Sequence, residues 1–182
     1  MKMVSAAKLR RSQDAILNHR PYANGLSAMI RDVTSLAGES AIRSPLVRTQ
    51  EQMNETPARK LLLVLVTSDR GLCGGFNSGI IKGAARWLKE NQGQYDSVEL
   101  AFVGRKGFEF YKSRSWGLGP NLGEFGGRVT FVQAKSVTKT LVDAYVSGQY
   151  DSVKIMFNEF KNAITQKVTV LDFLPYVVES SV

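Results

Sequence analysis

The residues most able to do chemistry lie in a glycine-rich stretch, SDRGLCGG, from Ser68 to Gly75. A strand-like apolar run precedes it and a helical pattern follows it, which is the arrangement in which many α/β proteins bind phosphate. A P-loop needs the spacing GxxxxGK[ST] and a dinucleotide loop needs GxGxxG, and neither is present. No lysine follows Gly74 and Gly75, and the carboxylate of Asp69 repels a phosphate. We therefore interpret this stretch as a packing or protein-contact loop.

The sequence supports no catalytic or metal site of another kind. The single histidine, His19, belongs to a predicted long helix, away from any pocket that the rest of the chain would form. The single cysteine, Cys73, therefore lacks the base that a nucleophile needs, and we interpret it as a small half-buried packing residue. One histidine and one cysteine cannot build a conventional zinc site. We predict no reaction centre, no metal and no cofactor.

Composition and charge favour a globular core that interacts with acidic partners. The chain has 182 residues, 43% of them hydrophobic, and a formal net charge of +8. No apolar run reaches the roughly 18 residues that a membrane-spanning helix needs. The positive charge is concentrated in the first twenty residues and around 105–114. An excess of this size favours nucleic acid, anionic lipid or an acidic protein surface, and charge alone does not choose among them.

The first 42 residues predict one long helix with a narrow apolar seam. Apolar residues recur every seven positions; the set is Leu9, Ile16, Ala23, Ile30 and Ala37. Pro21 removes one main-chain hydrogen bond and should bend the helix. At about 1.5 Å per residue the helix would be roughly 60 Å long, far longer than its own domain needs. A helix of this length needs a partner, and its coiled-coil pattern is complete only in the later half.

The remainder predicts a linker over 43–59 and an α/β domain over 60–182. Lys60–Thr67 has the continuous apolar character of a central parallel strand. Helices are predicted from Phe76 (capped by Asn77 or Ser78), after Val103, and around Val137–Tyr145; further strands are predicted at 98–102, 128–132, 152–157 and 168–173. The last two are joined too closely for a helical crossover and should pair as a hairpin. The fold class is thus a Rossmann-like, mostly parallel open sheet of about five strands, with the last strand antiparallel.

Two further stretches invite a binding function, and in each the structural interpretation is stronger. GLGPNLG, Gly117 to Gly123, follows a basic helix instead of a strand, so we predict a loop. Arg105 to Trp116 mixes basic and aromatic residues of the kind that contact single-stranded nucleic acid. Helical spacing places Phe108 and Tyr111 on one face, where they should cover the sheet and leave the charges in solvent. A basic nucleic-acid-binding protein and a stand-alone nucleotide-binding α/β protein remain the alternatives.

Five motifs in a fixed order closely resemble the gamma subunit of F-type ATP synthases, and the resemblance covers nearly the whole chain. They are MKMVSAAKLRRSQ (1–13), RPYA (20–23), TSDRGLCGGFNS (67–78), VGRKG (103–107) and FNEFKNAITQ (157–166). The first and third motifs are highly specific together. The residues LCGGFN and VGRKG resemble the bacterial branch of the family most. The third contains the family motif loop, whose residues are Asp69, Arg70, Gly71, Cys73, Gly74 and Gly75.

The resemblance implies a central rotor stalk that couples rotation of the membrane c-ring to ATP synthesis or hydrolysis in the alpha and beta subunits. The implied partners are the alpha and beta subunits, the epsilon subunit and the c-ring, with no nucleic acid and no membrane contact outside the complex. The subunit would be non-catalytic, without a cofactor, at the cytoplasmic face of the bacterial inner membrane. The residues implied to contact the alpha/beta ring are Met1, Met3, Lys8, Arg10 and Arg11.

The resemblance also implies that the sequence lacks the family's usual N-terminal start and the C-terminal helix that follows the sheet domain. The N-terminal helix would then miss its coiled-coil partner. We accordingly expect an exposed apolar stripe at Ile16, Leu26, Ile30 and Val33.

Overall fold

The fold joins a long N-terminal helix to an α/β sheet domain. The computed structural model describes residues 2–37, 43–127, 129–162 and 165–178. Its helices are α1 (Lys2–Ala37), α2 (Gln50–Glu55), α3 (Phe76–Asn91), α4 (Arg105–Tyr111) and α5 (Phe131–Val146). Its strands are β1 (Val47–Thr49), β2 (Lys60–Val66), β3 (Ser97–Val103), β4 (Gly117–Asn121), β5 (Ser152–Phe160), β6 (Gln166–Leu174) and β7 (Tyr176–Val178). The part from β1 to β7 is called the sheet domain below.

The main sheet confirms the predicted fold class. Its strand order is β4-β3-β2-β5-β6, and β2 lies at the centre. The first four strands run parallel, whereas β6 pairs antiparallel with β5 as the predicted hairpin. Because the chain crosses from one side of β2 to the other between β4 and β5, the order reverses at β2, as in doubly wound folds.

The sheet is covered on both faces, which explains why β2 is apolar almost throughout. Leu63 and Leu65 point into a core formed with α3, α4 and the neighbouring strands. Leu62 and Val64 point into a second core, which includes residues of α5. All four are at most 1% exposed. Burying a leucine or valine side chain contributes about 1.5–3 kcal/mol relative to leaving it in water, so this strand anchors both cores.

Helix α1 is continuous through Pro21 across the described residues 2–37, as predicted. Its apolar stripe is open to solvent: Ile16, Leu26, Ile30 and Val33 are 40%, 45%, 41% and 57% exposed. The stripe that the sequence predicts is therefore confirmed, and the sheet domain does not cover it. Residues 38–42, over which the predicted helix continues, lie outside the described part of the chain.

The segment 43–59, predicted as a linker, contains β1 and α2. Strand β1 pairs in parallel with β7, with Val47 opposite Tyr176. Helix α2 begins at a capping box, in which the Thr49 hydroxyl accepts from the Gln52 N–H at 3.2 Å. The Gln52 side chain accepts from the Thr49 N–H in return at 3.0 Å. A three-residue parallel pair between distant segments depends on tertiary structure, so a local pattern cannot reveal it.

Two predicted elements on the β4 side of the sheet are wrong. GLGPN is strand β4 and not a loop; it is the sheet's edge strand, where glycine and proline are tolerated because one side needs no hydrogen-bond partner. The strand predicted at 128–132 is also wrong for its described residues. Arg128 lies outside the described part, whereas Phe131 and Val132 begin α5 and are 81% and 75% exposed. The capping box of Thr130 and Gln133 starts this helix.

Tyr150 should make the free energy of unfolding depend on pH in the alkaline range. Its hydroxyl donates to Glu99 Oε2 at 2.6 Å, and its side chain is buried. Burial first, and then the Glu99 carboxylate, raise the pKa of Tyr150 above its ordinary value of 10.0. A raised pKa in the folded state means that stability is retained below about pH 10 and lost above it, because the unfolded chain then ionises more readily.

We therefore expect the free energy of unfolding to fall above about pH 10, and to fall less steeply in Tyr150→Phe. The measurement is urea unfolding at intervals from pH 8 to pH 11. Tyr22→Phe, at a tyrosine that is 73% exposed on α1, is the control and should retain the wild-type profile. An unchanged slope in Tyr150→Phe would contradict the assignment.

Candidate partner-contact site

The glycine-rich loop after β2 is closed by its own hydrogen bonds. Ser68 N–H donates to Asn77 Oδ1 at 2.9 Å, and Asn77 Nδ2 donates to the Arg70 carbonyl at 3.2 Å. The Ser68 hydroxyl donates to the same carbonyl at 2.6 Å. Asn77 thus holds the start of the loop and does not cap α3, whose N-cap is Gly75 without a side-chain hydrogen bond. The predicted cap by Asn77 or Ser78 is wrong because the asparagine side chain is used in the loop.

Asp69 connects this loop to two neighbouring segments at the carboxyl edge of the sheet. Its Oδ1 accepts from the main-chain N–H of Arg105 at 3.1 Å, and its Oδ2 accepts from that of Gly126. A phosphate at this edge would compete with the carboxylate for these two donors. The geometry therefore gives Asp69 a structural function, which is to hold the loop against these two segments.

The tip of the loop projects into solvent. Leu72 has a positive φ of 57° and is fully exposed, and Gly74 has a φ of 58°. A Cβ atom at Gly74 or Gly75 would meet no atom within 4 Å, and Gly71 would meet only Lys106 Cε at 3.7 Å. Cys73 is exposed and not half-buried as predicted, and its Sγ lies 3.1 Å from Asn77 Nδ2. The tip of the loop is therefore accessible to solvent.

Helix α1 lies across the carboxyl edge of the sheet and leaves an open cleft. The cleft has a volume of about 1180 Å³. It is lined by α1 residues between Lys8 and His19, by Val66–Arg70, by Val103 and Gly104, and by Phe125–Gly127 and Val129. His19 lines it, so the prediction that His19 lies away from any pocket is wrong. The sequence could not show this, since the direction of α1 relative to the sheet is set by tertiary structure.

The five residues implied to contact a ring of partner subunits all fall at or near the start of α1. Met1 lies outside the described residues, and Met3 lies in α1 in a stretch whose side chains are not described. Lys8, Arg10 and Arg11 are exposed. Lys8 and Arg11 line the cleft together with Asp69 and Arg70 of the loop. The structure thus brings two of the helix residues near the motif loop.

The basic helix α4 pairs its charges with each other at the surface and packs its aromatic rings on the sheet. Lys106 and Arg105 pair with Glu109 at 2.6 and 3.4 Å, and the hydrogen bond from Lys106 is the main cause that lowers the pKa of Glu109. Tyr111 is buried and Phe108 packs on the same core, which confirms the predicted sheet-covering face. The aromatic face of α4 is therefore part of the core, and its basic side chains pair with Glu109 at the surface.

Within the described residues, the remaining chemistry is sparse. No group of three or more His, Cys, Asp or Glu side chains among them could hold a metal ion. Among the same residues, no helix is both long and apolar enough to cross a membrane.

The fold and the site define a class: a Rossmann-like sheet domain with an exposed basic helix lying across the carboxyl edge of its sheet. Residues 1–181 match the sequence model of the ATP synthase family. The chain belongs to this family.

The similar curated proteins are gamma chains. An ATP synthase gamma chain of Geobacter metallireducens is 41% identical over 182 residues, which are 100% of this chain and 60% of the relative. One from Trichlorobacter lovleyi is 38% identical over 183 residues, with the same two coverages. The chain therefore spans about 60% of the length of these relatives.

A solved structure extends the likeness to the fold. The central stalk and c-ring structure of the Tetrahymena thermophila mitochondrial ATP synthase contains a chain with a TM-score of 0.65 and 26% sequence identity. The match covers 96% of this chain and 70% of that one. The long helix and the mostly parallel sheet are thus both found in a central-stalk protein.

Proposed function

We propose that the chain is the central rotor-stalk, or gamma, subunit of an F-type ATP synthase. It would couple rotation of the membrane c-ring to conformational change, and thereby to ATP synthesis or hydrolysis, in the alpha/beta ring. The observation that carries the proposal is α1, a 36-residue helix whose apolar stripe and basic residues are exposed along its length. The sheet domain does not cover the apolar stripe, so a helix of this kind needs partners outside it.

The division of labour along the chain follows from this proposal. Residues 1–42 would be the shaft, 43–59 the connection, and 60–182 the foot beside the epsilon subunit and the c-ring. The subunit would be non-catalytic and peripheral, on the cytoplasmic face of the bacterial inner membrane, and would reach the membrane only through the complex. Its opening residues, Met1, Met3, Lys8, Arg10 and Arg11, would contact the alpha/beta ring. The loop from Asp69 to Gly75 would serve packing and protein contact.

The exposed charges of Lys8, Arg10 and Arg11 are suited to contacts with the ring that form and break repeatedly. An exposed ion pair contributes about 1 kcal/mol or less, which steers a partner without locking it in place. A shaft that turns inside a ring needs such weak contacts, because deep apolar packing would hold it in one orientation.

A chimera tests the proposal directly. Residues 1–182 replace the matching segment of the Geobacter metallireducens gamma chain, and the chimera is expressed with that organism's other ATP synthase subunits. We expect assembly and ATP-driven ion pumping in membrane vesicles, with the unaltered relative as the control. A chimera that assembles and hydrolyses ATP without pumping would contradict a coupling role. Tight nucleotide binding by the chain alone, or a salt-dependent shift of nucleic acid, would support the two alternatives instead.

A further inference from the structure

One side chain of α1 reaches the far side of the sheet's carboxyl edge. Arg20 Nη2 donates to the carbonyl oxygen of Phe160 at 2.7 Å, across 140 positions of the sequence. Phe160 is the last residue of β5, where the chain turns towards β6. No ion pair among the described residues joins α1 to the sheet domain, so this charged donor is a prominent link between the two.

A carboxylate lies next to the acceptor of Arg20 at the end of the hairpin. Glu159 lies next to Phe160, and its carboxylate is shared between Lys161 at 2.6 Å and the Thr169 hydroxyl at 3.3 Å. The Lys161 hydrogen bond first, and the charge of Arg20 more weakly, lower the pKa of Glu159. Arg20 therefore meets a main-chain acceptor beside a negative charge, and a hydrogen bond from a charged donor is stronger than one between neutral groups.

Arg20 lies between the part of α1 that faces the cleft and the part that begins at Pro21. On its N-terminal side, the helix from Lys8 to His19 faces the sheet edge across the open cleft. On its C-terminal side, Pro21 follows directly and takes one hydrogen bond out of the helix, leaving the Leu17 carbonyl without its usual donor. The helix is thus fixed to the hairpin immediately beside the place where it bends most readily.

We propose that Arg20 is a positioning residue that clamps α1 to the β5–β6 hairpin and passes torque between the shaft helix and the sheet domain. The torque-transmitting part rests on the proposed rotor function, whereas the clamp itself concerns this chain alone. Arg20 sets the angle of the helix on the domain, and the cleft allows the part before it to twist.

The clamp is tested in the full chain with two spin labels, at Ser27→Cys on α1 and Thr165→Cys at the hairpin, in a Cys73→Ser background. Loss of this hydrogen bond in Arg20→Ala should raise the population of helix detached from the hairpin about fivefold, seen as a broader distance distribution. Arg20→Lys keeps a donor and should restore much of the narrow distribution. Arg31→Ala is the matched control, since Arg31 lies three turns along on nearly the same face and has no ion-pair partner among the described residues.

Torque transmission is tested in the chimera with the alpha/beta ring immobilised and a rod attached to the sheet domain. Arg20→Ala should widen the angular fluctuations during the pause before ATP binding, while Arg31→Ala should not.

An unchanged spin-label distribution in Arg20→Ala would overturn the clamp, whatever the protein's function. A broader distribution with unchanged rotational stiffness would overturn torque transmission. Failure of the unmutated chimera to assemble would count against the proposed function, and the spin labels would still decide the clamp.

Discussion

Gly104→Ala is expected to lower the free energy of unfolding by at least about 3 kcal/mol. Gly104 has a φ of 88°, a region that L-residues rarely adopt. A Cβ atom there would lie 2.1 Å from the Thr67 carbonyl oxygen, which belongs to the backbone and cannot rotate away. Strain and steric overlap therefore add to each other.

The position matters because β2 and its neighbour β3 are joined there, where both strands end. Thr67 N–H donates to the Val103 carbonyl at 2.8 Å, and the Thr67 hydroxyl accepts from Gly107 N–H at 2.9 Å. A Cβ atom at Gly104 pushes directly against this junction. A displacement of the backbone here should also move the loop that contains Asp69, because Asp69 accepts a hydrogen bond from the next residue, Arg105.

The measurement is urea unfolding followed by circular dichroism, with Gly93→Ala as the control. Gly93 has open space around its would-be Cβ and no positive φ, so this change should stay within about 0.5 kcal/mol. A chain of this size should also lose roughly 6–12 °C in Tm on Gly104→Ala. A loss of less than about 1 kcal/mol, the centre of the distribution for single substitutions, would show that the backbone accommodates the methyl group.

Reversing the charges of Arg10 and Arg11 to glutamate should weaken assembly with the alpha/beta ring by about tenfold or more. Both side chains are exposed, so the change should cost the isolated chain little stability. Each reversal replaces an attraction to an acidic partner surface by a repulsion, and two such changes together reach the 1.4 kcal/mol that corresponds to tenfold. The expectation depends on the proposed function.

The measurement is co-purification and ATP-driven pumping of the chimera as a function of salt. The defect should shrink at high salt, because exposed charges are screened over about 10 Å at 0.1 M. Lys82→Glu with Arg86→Glu is the matched control, since both residues are exposed on α3 and their charge change is the same. Undiminished coupled activity in the Arg10 and Arg11 variant would remove these residues from the contact.

The sequence determined the elements whose signals are local. β2 is apolar at nearly every position because both of its faces are buried, and that run is visible without any partner. The continuity of α1 and its apolar stripe follow from spacing along one helix, whereas the exposure of that stripe was expected from the resemblance. The hairpin of β5 and β6 follows from the shortness of its connection, which allows only antiparallel pairing.

The tertiary structure decided everything that depends on contacts between distant segments. Strand β4 contains glycine and proline and can be a strand only because β3 provides one side and the other side is an edge. The β1–β7 pair, the place of His19 in the cleft and the bond from Arg20 to Phe160 each join residues far apart in the chain. A sequence pattern reports the preference of a segment for its own conformation, whereas these features arise from the free energy of packing segments together. For that reason the family and the fold could be predicted from the sequence, and the way in which the long helix is held on the sheet domain could not.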